Sequence, residues 1–167
     1  ELDSSIDGLQ PDSNPSVAAL ADGGFAVAWQ DGNTLTTRRF DGVGQALQYD
    51  QPLQPGSGIS QPSLSGLGAG QGRVAVSVHN GDILQTRWDS SGAFISSTTV
   101  NTTTAGLQDA PDVTQLVGGR YVVTWSTDGV GVRARVFEAT GAAVGADFAV
   151  NTTTPNGTDY APKVTAL

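Results

Sequence analysis

The chain has 167 residues, with sixteen acidic side chains against eight basic ones, a formal net charge of −8, and neither cysteine nor methionine. That length suits one core rather than two, the charge opposes binding to nucleic acid phosphates or anionic membranes, and without thiols there are no disulfides or thiolate metal sites. No apolar run approaches the roughly 18 residues of a membrane span, and no signal peptide opens the chain. The start at Glu1 and the lack of methionine read as an excerpt or a processed product.

Self-similarity dominates the chain. Residues 1–14 read as a partial unit; Pro15, Pro62, Pro111 and Pro162 then head "NPSVAAL", "QPSLSGL", "APDVTQL" and "APKVTAL", with spacings of 47, 49 and 51. These marks divide a single domain into units 15–61, 62–110 and 111–161, with 162–167 as the start of a fourth. Each unit opens with a short strand: Val17 to Leu20, Leu64 to Leu67, Val113 to Leu116, and Val164 to Leu167 in the last. Proline lacks an N–H, so it is expected at the first residue of that strand or just before it.

Glycine-rich turns follow at "ADGG", "GAGQG" and "VGG", and lead into second strands "FAVAW", "VAVSV" and "YVVTW". Large residues alternate there with small ones (Phe25, Val27 and Trp29; Val74, Val76 and Val78; Tyr121, Val123 and Trp125), and both faces are nearly dry, which predicts a sheet buried on both sides. Third strands "LTTRRF", "ILQTRW" and "VRARVF" each end in an aromatic. An acid follows that aromatic, with glycine three residues further on, which suits a type I turn closed by a left-handed residue. Fourth strands fall near "ALQYDQ", "FISSTTV" and "DFAVN", before polar crossings such as "NTTTAGLQDA".

Four antiparallel strands in sequence, then a longer crossing to the next such sheet, predict an all-β, β-propeller-like array of four-stranded blades. The alternative is a β-trefoil, which also uses three repeats of about this length. Three units with a fragment at each end do not close a ring, so bare sheet faces and edges are expected at the ends. Association of copies through end strands, as a homo-oligomer or a filament, would cover them.

The recurring pattern P-x-V-x-x-L-x-D-G-G-F-x-V-x-W, then R-F-D-x-x-G and F-x-V-N-x-x-T, resembles the tandem repeats of secreted bacterial RTX adhesins and hemolysin-type calcium-binding proteins. Pro15, Val17, Leu20, Asp22, Gly23, Gly24, Phe25, Val27 and Trp29 carry it, then Arg39, Phe40, Asp41 and Gly44, and later Phe148, Val150, Asn151 and Thr154. The middle unit departs most, with Gly68 to Gly72 in place of the Asp-Gly-Gly turn and Val78 where Trp is expected. The resemblance implies secretion and a surface or matrix role, and brings no catalytic residue.

Candidate chemistry is sparse. His79 is the single histidine, in a predicted turn, and alone builds no zinc site. The acids Asp22, Asp31, Asp41, Asp82, Asp89, Asp128 and Glu138 fall at turns; calcium is one reading, local turn hydrogen bonding the other, and no D-x-D-x-D-G loop is present. Arg38, Arg39, Arg87, Arg133 and Arg135 sit in third strands. A ligand-binding role for surface glycan is therefore considered at Trp88, Arg38, Arg87 and Arg135. Asn101, Asn151 and Asn156 match the glycosylation sequon. No paired carboxylates and no nucleophile–base set recur, so the sequence points to a non-enzymatic structural or adhesive module without a required cofactor. A lectin with equivalent sites between repeats is the alternative.

Overall fold

A computed structural model describes residues 12–48, 51–53, 58–68, 70–128, 131–152 and 161–167. Its described strands are all antiparallel and form three separate sheets without helix. The first holds β1 (Ser13–Ala19), β2 (Phe25–Asp31), β3 (Thr34–Phe40) and β4 (Gln51–Leu53). The second holds β5 (Ile59–Gly66), β6 (Arg73–His79), β7 (Asp82–Trp88) and β8 (Phe94–Thr99), and the third β9 (Gln108–Gln115), β10 (Tyr121–Thr127), β11 (Gly131–Phe137) and β12 (Phe148–Ala149). In every sheet the strands lie side by side in chain order. A β-trefoil needs a barrel shared by all three units; the described strands form no closed sheet.

Short connections impose that order. After each third strand the chain turns on a left-handed glycine: φ is 87° at Gly44, 91° at Gly92 and 87° at Gly141. Their N–H groups bond back to the carbonyls of Asp41, Asp89 and Glu138. The Asp41 carboxylate also accepts from the Gln45 N–H at 2.8 Å, and Asp89 from the Ala93 N–H at 2.9 Å. In the first and third units the fourth strands are short, β4 of 3 residues and β12 of 2, and Ala46 and Ala143 make isolated bridges to Phe40 and Phe137 ahead of them, whereas β8 runs 6 residues.

The prolines lie inside the first strands rather than at their heads. Pro15, Pro62 and Pro111 sit at register shifts in β1, β5 and β9. A bulge removes one N–H from the ladder, so a residue without an N–H fits there. The residue before each proline is left-handed, with φ of 52° at Asn14, 52° at Gln61, 50° at Ala110 and 53° at Ala161. These corners meet: the first three X-Pro pairs, with Ala161 and Lys163, line one cavity of about 250 Å³.

Neighbouring units are joined by a repeated bond. The residue after proline offers a side-chain oxygen to the backbone N–H two residues after the next proline. Leu64 donates to Ser16 Oγ at 3.0 Å, Val113 to Ser63 Oγ at 3.3 Å, and Val164 to Asp112 Oδ2 at 2.8 Å. Such bonds occupy edge N–H groups that would otherwise be open. β5 also comes so close to β1 that a Cβ on Gly66 would stand 2.0 Å from the Ala19 carbonyl oxygen.

Between the first two sheets Ala26 and Ala28 pack on Leu64, Ala75 and Trp88. Between the second and third, Val74, Val76 and Ile83 pack on Tyr121, Val123, Trp125 and Phe137. This corrects the reading of the middle unit. Phe25 pairs with Phe40, Arg73 with Trp88 and Tyr121 with Phe137, so Arg73 holds the place of the first aromatic and Ser77 that of the tryptophan. Val74, Val76 and Val78 stand on the side that carries Ala26 and Ala28 in the first unit.

The expected bare faces are absent from the described end sheets. Val27, Trp29 and Phe40, on the first sheet's other face, are at most 8% exposed. On the third sheet Val122 and Thr124 are at most 9% exposed.

Candidate functional site

Two gaps separate the three sheets, and they differ. The first holds a cavity of about 160 Å³, lined by Leu20, Ala21, Asp22 and Arg39 on one side and by Leu67, Gly68, Gly70, Gly72, Arg73, Asp89 and Ser90 on the other. Arg73 is its unusual member. It is 1% exposed, yet its Nε and Nη2 have no hydrogen-bond partner. Its guanidinium lies over the Trp88 ring, 4.7 Å from the centroid, in the manner of a cation–π contact.

The local backbone explains that placement. Gly72 has φ of 80°, and a Cβ there would stand 2.0 Å from the Trp88 carbonyl oxygen, so only glycine lets the loop enter β6 this close to β7. Arg73 then falls opposite Trp88, as Phe25 falls opposite Phe40 with ring centroids 4.9 Å apart and Tyr121 opposite Phe137 at 5.3 Å. Burial, with the nearby Arg39 charge, brings the Arg73 guanidinium down to about 10 against an opposing pull from Asp89, so it remains charged at neutral pH.

Arg39 is better provided for. Its Nη2 meets Asp22 Oδ2 at 2.5 Å, although its Nε is orphaned as well. Asp22 Oδ1 accepts the Gly24 N–H at 3.0 Å. That bond, and then Arg39, hold the Asp22 carboxyl below its ordinary range.

In the second gap Arg87 holds the register position of Arg39. Its guanidinium donates to the carbonyls of Ala139 and Thr140 in the turn after β11, and a Cβ on Gly141 would stand 2.9 Å from Arg87 Cδ. Tyr121 Oη donates to Gln85 Oε1 at 2.5 Å beside it. Burial pushes the Tyr121 phenol up to about 12. Protein groups therefore occupy the place that the first gap leaves open.

The residues considered for glycan binding do not converge. Trp88 is 2% exposed with Arg73 on its ring, so that face is not open to a sugar. Arg87 and Arg135 both enter the second gap; Arg135 donates to the carbonyls of Gly145 at 2.9 Å and Val100 at 2.7 Å. Arg38 pairs in register with Val27, and because its neighbour Arg39 lines the first cavity, Arg38 belongs to the opposite face. Arg133 pairs with Asp147, whose carboxylate also accepts the Thr102 N–H at 2.8 Å.

His79 Nε2 lies 3.3 Å from Asn80 Nδ2. Among the described residues no three acids or histidines cluster as metal ligands. Asn101 is buried; its Oδ1 accepts the Ile83 N–H at 2.8 Å and its Nδ2 donates to Asp82 Oδ1 at 2.7 Å. Asn151 Oδ1 accepts the Val132 N–H at 3.0 Å, so both sequon asparagines fasten the start of a third strand. Asn156 and Thr154 lie outside the described residues.

Arg73 was the residue the sequence pattern missed. A signal for it exists: the second strand reaches the following turn at Asp31, His79 and Thr127, and six residues back from each stand Phe25, Arg73 and Tyr121. Aligning from the variable glycine loop instead shifts the middle unit by one. No known family model matches the chain, and no curated protein matches it.

Proposed function

We propose that the chain is a non-enzymatic, propeller-like repeat module of a secreted or cell-surface protein, which associates with further copies through its end strands. The observation that carries this reading is the bond from the Val164 N–H to Asp112. It repeats the joint between earlier units, preceded by the same left-handed residue and proline, on a segment that enters no β-ladder among the described residues. Residues 161–167 thus hold the position of a first strand, with no second strand paired to them among the described residues. At the other end Val17 occupies the place that Leu64, Val113 and Val164 hold later, and it is 66% exposed. Lys163 stands where Ser16, Ser63 and Asp112 provide acceptors, so a joint to another copy uses backbone pairing along the segment instead.

The secreted setting and the adhesive role come from the resemblance to RTX adhesin repeats. A lectin with equivalent pockets is the weaker reading, because Arg87 fills the second gap while Arg39 leaves the first open.

The lack of native cysteine makes a clean trapping experiment possible. A Val17→Cys chain mixed with a Thr165→Cys chain under mild oxidation is expected to give mixed dimers in excess over either homodimer. Trapping no better than for a pair at Val43 and Val117, exposed turn residues, would contradict end-to-end association.

A further inference from the structure

We propose that the cavity between the first and second sheets is a binding site for a small organic monocarboxylate, sugar acids included, held by the guanidinium of Arg73. Three independent features carry this. The cavity of about 160 Å³ is close in size to engineered cavities of roughly 150 Å³ that admit a benzene-sized molecule. Its wall contains a charged side chain that is 99% buried and has two unpartnered nitrogens. The equivalent positions in the other units are aromatic and packed, so stacking on the third-strand aromatic does not by itself call for a charge.

The chemistry selects the ligand class. A guanidinium fork matches a carboxylate with two parallel N–H bonds, and Arg39, paired with Asp22, adds a second positive charge on the opposite wall. Leu20 and Leu67 offer apolar surface for a short carbon body. Asp22 and Asp89 also line the cavity, and their negative charges oppose a dianion such as sulfate or phosphate more than a single carboxylate. A neutral sugar offers hydroxyl acceptors to Arg73 but no charge to compensate it.

The test is a calorimetric and ¹⁵N-NMR titration of the full chain at fixed ionic strength with four probes: sodium acetate, sodium glucuronate, sodium sulfate and glucose. Acetate or glucuronate is expected to saturate and to shift the Trp88 indole and Arg73 Nε–H signals, with sulfate at least tenfold weaker and glucose silent. Arg73→Tyr, which restores the aromatic of the other units, is expected to abolish carboxylate binding with the fold intact. Arg73→Lys, which keeps the charge and loses the fork, is expected to weaken it at least tenfold, and decides the question alone should the tyrosine variant misfold. No saturable carboxylate binding to the native chain, equal binding of sulfate, or unchanged binding in these variants would overturn the proposal. Because the readout is a monomer property, it is independent of end-to-end association: either can fail while the other holds.

Discussion

Phe25 and Tyr121 gain from stacking without giving up any hydration of charge, whereas Arg73 takes the same position with a guanidinium that has left water and found no hydrogen bond. Replacing a buried charge by a packed apolar group is often neutral or stabilising by about 1–4 kcal/mol. Arg73→Tyr is accordingly expected to raise the urea midpoint without changing the slope; a lower midpoint would show that the charge is needed for packing. Asp147 is the opposite case. Burial pushes its carboxyl up, but hydrogen bonds from Thr102 and the Arg133 guanidinium outweigh that and leave it below the ordinary value. A carboxyl depressed on folding adds stability above its unfolded pKa near 4, and that stability is lost as pH falls through the folded value. Asp147→Asn should therefore destabilise the chain at neutral pH, with the gap to the native chain narrowing below pH 4 in unfolding measurements. A gap independent of pH would place the loss elsewhere. At this scale the sequence was least informative: counting back from the turn places a cation at Arg73, but neither its orphaned nitrogens nor the carbonyls that hold the Arg87 Nη groups leave a mark in composition or periodicity.

Strands and turns were more readable, because their cause is local. An acid after the aromatic and glycine three residues on predicted left-handed turns, and Gly44, Gly92 and Gly141 are left-handed. The prolines were harder. The sequence places them near the start of a strand, while the structure adds two or three residues ahead of each by means of a bulge. What decides between these is the left-handed residue before the proline, and Asn, Gln and Ala share no sequence mark for it. Such residues carry strain of order 1 kcal/mol or more that glycine avoids. Ala110→Gly, at φ of 50°, is expected to stabilise the chain by up to about 1 kcal/mol in chemical denaturation, and a loss of that size would show the corner to be relaxed. Ser63 tests the joint between units, since its Oγ donates to Asp112 at 2.7 Å and accepts from the Val113 N–H. Ser63→Ala strands the Val113 N–H and takes one donor from Asp112, a loss of about 1–3 kcal/mol, and should speed amide exchange at Val113 above that at Val123. Equal protection would mean that the joint contributes little.

For the whole molecule, the three-unit organisation was visible because each unit buries its faces on the next, and that demand writes the same alternation three times. The exchange of faces in the middle unit was not visible, since one extra loop residue moves the apparent register while valines on either face look alike. Nor did the pattern show that the end faces would be buried, at Trp29 and at Val122; it shows which faces are apolar, not what meets them. The segment 161–167, which rests on Asp112 through Val164 and enters no β-ladder among the described residues, is the edge through which we propose that copies associate. Sedimentation equilibrium of the native chain over a hundredfold range of concentration tests that edge most directly. A weight-average mass that climbs with concentration to multiples of the single chain, and falls back when Val164→Pro removes the N–H and the pairing, is expected; the mass of one chain at every concentration would contradict it.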